Sequence, residues 1–170
     1  MMRIRPALLL AASLLLHMSE ISAMSPLPFF QRVERVGLLC AVDADGGPAA
    51  DLGVDLGDNA LCGRAAAVLS GLLASGPAVT ALAPNDVRIV DPGTLLLLVH
   101  ATLRPEDKGQ GGRLLALAAT LQRSGAAGGA PFFMTPPQAL ALSGSLEESL
   151  LDSMLRGLLD PLAKALRTNP

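Results

Sequence analysis

The sequence predicts an α+β domain: a mostly antiparallel sheet of four or five strands with two helices packed on one face. Three observations carry that expectation. Residues 94–104 and 113–123 are apolar runs with charged ends and a Gly-rich link, the pattern of an antiparallel hairpin. Residues 36–42 form a short, continuous apolar run that suits a buried strand. From Leu146 to Leu166 the leucines share one stripe at helical spacing. The predicted order is strand, helix, strand, hairpin, edge strand, helix.

Composition supports one such unit. A chain of 170 residues is long enough for one domain with one core. With 51% hydrophobic and 16% charged residues it can bury that core. There is no Trp or Tyr, and the four Phe come as Phe29-Phe30 and Phe132-Phe133, so the interior must be Leu, Val and Ala. A formal charge of −2 offers nothing to nucleic acid or an anionic membrane.

The chain opens on a targeting pattern. Arg3 and Arg5 precede a Leu/Ala-rich run over 7–16, and Ile21-Ser22-Ala23 ends on a small residue, as a cleaved secretory signal over 1–23 would. The run is shorter than the ~20 residues a membrane span needs. Residues 24–35 then read as a tether and 36–170 as the domain. Loss of Arg3, Arg5 and Glu20 would move the formal charge from −2 to −3. Translation from Met24 would instead leave the protein in the cytoplasm.

The remaining elements follow in order. Residues 43–59 mix Asp, Gly and Pro and read as loop, with Asp58 as N-cap for a helix carrying Leu61, Ala65, Leu69, Leu72 and Leu73 on one face. Gly76 and Pro77 end it, and 78–82 is a short strand. Asp91-Pro92-Gly93-Thr94 suits a type II turn into the hairpin. There Leu95, Leu97, Val99, Ala101 and Leu103 share one face; Leu96, Leu98, His100, Thr102 and Arg104 share the other. On the second strand Leu115, Leu117, Ala119 and Leu121 alternate with Leu114, Ala116, Ala118, Thr120 and Gln122. Residues 138–142 read as an edge strand after Pro136-Pro137. Ser145 and Glu148 have capping-box spacing, and Pro161 should kink the last helix or restart it with Asp160 as a cap.

Candidate chemistry is sparse. A helix packed on the first strand would bring Cys62 beside Cys40, and in an oxidising compartment a disulfide is expected between them. Asp43, Asp45, Asp51, Asp55 and Asp58 crowd one loop, but the distal Glu of a calcium loop is missing, so turn residues and a helix cap explain them better. His100 is the only histidine after residue 23, and no nucleophile elbow or His-Glu-x-x-His motif is present. No cofactor or metal site is expected. Leu96, Leu98, His100, Leu114, Ala116 and Ala118 form a candidate interaction face, open unless the tether or the Phe132-Phe133 loop covers it.

Residues 36–42, the helix ending Leu72-Leu73-Ala74-Ser75-Gly76, residues 95–102 and residues 143–166 together resemble the amino-terminal domain of the periplasmic Tol-system propeller protein (TolB) and the related curli-secretion lipoprotein (CsgG-like) fold. The resemblance implies a non-catalytic envelope domain that binds other proteins. The expected function is therefore an exported, periplasmic or secreted protein acting by protein–protein contact, with another envelope protein or with itself. The alternative is a small-ligand-binding protein or hydrolase using the acidic loop and His100.

Overall fold

The computed structural model describes residues 28–44, 52, 54–105, 112–124 and 135–169. The expected signal over 1–23, the start of the tether, Asp45, Asp51, most of the hairpin link and Phe132-Phe133 lie outside the described residues.

Five strands form one sheet: β1 (Arg35–Ala44), β2 (Ala78–Ala81), β3 (Thr94–Pro105), β4 (Arg113–Arg123) and β5 (Gln138–Leu142). Two helices, α1 (Asp58–Leu73) and α2 (Glu148–Thr168), complete the expected α+β order. The strands lie in the order β2-β1-β3-β4-β5. β3 and β4 make the predicted hairpin, in register from Leu95 opposite Arg123 to Pro105 opposite Arg113, and β5 adds antiparallel to β4. The other half of the sheet is parallel, because α1 returns the chain to the end where β1 began; β2 and β3 both run alongside β1.

Both helices cover the face that the alternation marks as core. Val36, Leu38, Leu95, Leu97, Val99, Leu115, Leu117 and Leu121 are buried there with Leu61, Ala65 and Leu69 of α1 and Leu151, Leu155, Leu158 and Leu162 of α2. Arg64 ties the two helices at their rim, 2.9 Å from Asp152 and 3.1 Å from Glu148. Phe30 joins the core from the segment before β1, with Phe29 edge-on to it.

Several local expectations are corrected. Gly57, not Asp58, is the N-cap of α1; the Asp58 carboxylate instead accepts the Val42 N–H of β1 at 2.8 Å. That bond satisfies β1 beyond the stretch paired with β2. No side chain caps α2, so the Ser145–Glu148 box does not form, and the helix runs through Pro161 without restarting. The 91–94 turn closes with a Thr94 N–H to Asp91 carbonyl bond of 2.9 Å, yet Gly93 is not among the glycines with positive φ, so it is no type II turn. The Asp91 carboxylate does the positioning, accepting the Gly93 N–H at 2.8 Å.

The end of α1 differs in a testable way. Ala74, not a glycine, takes φ 52° and ψ −49°, and the Ser75 N–H bonds the Leu73 carbonyl across it. This is a γ-turn geometry that is unfavourable for a residue with a Cβ. Ala74→Gly is expected to stabilise the fold by about 0.5–1 kcal/mol, the relieved strain outweighing the added freedom of the unfolded chain. A thermal melt should show a higher Tm; an unchanged or lower Tm would contradict the assignment.

Candidate functional site

The face opposite the helices is built from alternate residues of the three long strands. β1 contributes Gly37, Leu39, Ala41 and Asp43; β3 contributes Thr94, Leu96, Leu98, His100, Thr102 and Arg104; β4 contributes Leu114, Ala116, Ala118, Thr120 and Gln122. Its two ends are treated differently by the fold.

At the end where β3 begins, the connection from β2 to β3 has to cross β1. Leu82, itself buried, lies over Gly37, where an added Cβ would collide with the Leu82 side chain and crowd Thr94. A residue without a side chain is what lets this crossing sit close to the sheet. Leu96 is buried at this end and does not contribute to an open surface. Val87 and Val90, on the same connection, remain 82% and 69% exposed.

At the opposite end the face is polar. Arg104 Nη2 lies 2.7 Å from Asp43 Oδ2. The hydrogen bond and charge of Arg104, with a smaller contribution from His100, hold the Asp43 carboxyl below its usual range. Asp86, on the crossing, is held at about 2 by side-chain and backbone bonds from Arg88.

Between these ends lies a middle band that stays partly exposed among the described residues. A concavity of about 420 Å³ is lined there by Leu39, Ala41, Leu98, His100, Ala118 and Thr120 among others. Leu98, Ala116 and Ala118 are half-buried, while His100 is exposed and Leu114 is 42% exposed. Of the residues expected on this face, the fold therefore leaves Leu98, His100, Leu114, Ala116 and Ala118 at the surface and removes Leu96. Leu39, Ala41 and Thr120 belong with them. The alternation within 36–42 was the signal for the first two, since Val36 and Leu38 point into the core.

The charge of His100 reaches Asp43, but none of the described acids of the loop lines the concavity beside His100. Asp55 accepts the Gly57 N–H at 2.8 Å, Asp58 bonds Val42 and Asp43 is taken by Arg104, while the concavity beside His100 has no carboxylate in its lining. Asp45 and Asp51 are outside the described residues. No group of three or more metal-binding side chains occurs among the described residues. No helix among the described residues is long and apolar enough to cross a membrane.

The expected disulfide is present. Cys40 and Cys62 are joined at an S–S distance of 2.06 Å with Cα atoms 5.5 Å apart. It fastens the first turns of α1 to β1 on the core side, two residues from the Val42–Asp58 bond.

No protein-family model matches the chain, and no curated protein matches it. Among solved structures it is similar to a PelC dodecamer protein of Paraburkholderia phytofirmans, at 16% identity over 78% of this chain and 88% of that one with a TM-score of 0.46. A hypothetical protein of Chlamydia trachomatis is similar at 9% identity over 79% of this chain and 99% of that one, TM-score 0.47. A minor lipoprotein of Acinetobacter baumannii is similar at 17% identity over 78% of this chain and 87% of that one, TM-score 0.23. These are loose likenesses of architecture. None of the three is described as a Tol-system propeller or a curli-secretion protein.

Proposed function

We propose that this chain is a non-catalytic domain that acts outside the reducing cytoplasm, in the periplasm or after secretion, by binding another protein through the helix-free face of its sheet. The observation that carries the reading is the middle band, which lies opposite the helices and stays partly exposed among the described residues. A face with Leu39, Leu98, Ala116 and Ala118 at half exposure, closed by Leu82 at one end and bounded by the Asp43–Arg104 pair at the other, has the apolar centre and polar rim of an interaction surface. The Cys40–Cys62 disulfide and the signal-like start support the compartment.

A photocrosslinking residue placed at Ala118 in the native cell tests this directly, with Arg156 on the exposed side of α2 as control. Position 118 should give a discrete adduct and position 156 none. An adduct of twice the 17.4 kDa chain, or of twice the mature chain if the signal is removed, identifies a second copy; any other mass identifies a different protein. Absence of an adduct from positions 98, 100 and 118 alike would overturn the proposal. For the compartment, alkylation of the protein as it leaves the cell should find both cysteines blocked, and free thiols would place it in the cytoplasm.

A further inference from the structure

A second concavity, of about 500 Å³, lies at the other end of the molecule, where the segment before β1 meets the carboxyl ends of both helices. Phe30 and Leu166, 1% and 6% exposed, give it an apolar floor. Arg32 and Arg167 stand in its lining with Ser75 and Asn169, against one acid, Glu34. Its size falls within the ~300–1,000 Å³ typical of small-molecule sites.

The geometry points to a binding site for a small amphipathic carboxylate, its apolar body on Phe30 and Leu166 and its head group at Arg32. The two arginines differ in availability. Arg167 donates Nη1 to the Leu72 carbonyl, which steadies it at the carboxyl end of α1, whereas no ion pair among the described residues engages the Arg32 guanidinium. A guanidinium at the rim of an apolar cleft matches a carboxylate in two-pronged geometry. Two arginines against Glu34 leave the lining a formal +1, and the carboxyl ends of two helices add partial negative charge, so a monoanion suits it better than a dianionic phosphate. Backbone conformation adds an independent observation. Among the described residues the non-glycine positions with positive φ are Arg32 (54°) and Ala74 (52°); Arg32 lies in the cleft lining and Ala74 directly precedes Ser75. Residues held in such conformations concentrate at ligand clamps.

The probe is octanoate, titrated into the full chain and followed by amide NMR, with 1-octanol and inorganic phosphate as comparisons. Octanoate should give saturable shifts at Ser75, Gly76 and residues 166–169, and 1-octanol and phosphate should bind at least about tenfold more weakly. Arg32→Ala should weaken octanoate about tenfold. Arg32→Gly fits the positive φ without strain while still removing the guanidinium, so it should weaken octanoate equally. No saturable shift at these residues, equal binding of 1-octanol or phosphate, or unchanged affinity in Arg32→Gly would each overturn the proposal. Residues of the helix-free face, such as Ala118, should not shift in any arm, so this outcome is read separately from the crosslinking.

Discussion

Replacing Cys40 and Cys62 together by alanine is expected to lower the unfolding free energy by about 3 kcal/mol and the Tm by roughly 10 °C. The disulfide closes a loop of sequence separation 22, and most of its effect lies in the unfolded chain, whose freedom it removes. Its location raises the consequence. β1 is paired with β2 only from Arg35 to Leu38, so beyond it that strand is held, apart from its pairing with β3, by the bond to Cys62 on the core side and by the Asp58 carboxylate on Val42. Loss of the covalent tie should therefore loosen residues 39–44 before the rest of the sheet, visible as faster amide exchange there than in β3 and β4. Treating the unmodified protein with a thiol reductant should reproduce the shift. Equal melting of the oxidised, reduced and double-alanine forms would show that the packing of α1 on β1 carries the stability without the bond.

Arg123→Ala is expected to cost about 2 kcal/mol, although the residue is only the last of its strand. Its guanidinium donates to the carbonyls of Phe29 (2.8 Å), Gln31 (2.7 Å), Arg32 (3.2 Å) and Pro92 (3.0 Å). One side chain thus pins the segment before β1 and the turn before β3 to the end of β4. Removing it leaves those carbonyls without this charged donor and frees the anchor that seats Phe30 in the core. Arg123→Lys keeps the charge but not the fork, and should recover less than half of the loss. Urea unfolding measures the total. Hydrogen exchange at 29–35 should rise in both variants, and an unchanged midpoint in Arg123→Ala would show that water replaces the guanidinium without penalty.

The resemblance of expected and observed elements has a simple physical basis. Alternation in 94–104 and 113–123 is a local property, so which residues of the hairpin face the helices was legible before any tertiary contact was known. The same holds for the leucine stripe of α2 and for the edge strand, bounded by its prolines. Local signals failed where two solutions were equally good over a few residues. Asp58 has the side chain of an N-cap, but β1 offers it an unpaired N–H, and Gly57 takes the cap instead. Gly93 has the freedom a type II turn requires, but Asp91 secures the turn without it.

By itself the sequence determined the element order, the buried face and the pairing of Cys40 with Cys62, because each depends on period, on composition or on a short strand–helix unit. Only the tertiary structure decided that β2 and β3 both run parallel to β1, that Leu82 closes one end of the second face over Gly37 and hides Leu96, and that Arg123 holds a segment 94 residues away. Those features join residues far apart in the chain through single side chains. A pattern of spacing carries no record of such contacts, since any residue of the right shape at either end would leave the local periodicity unchanged.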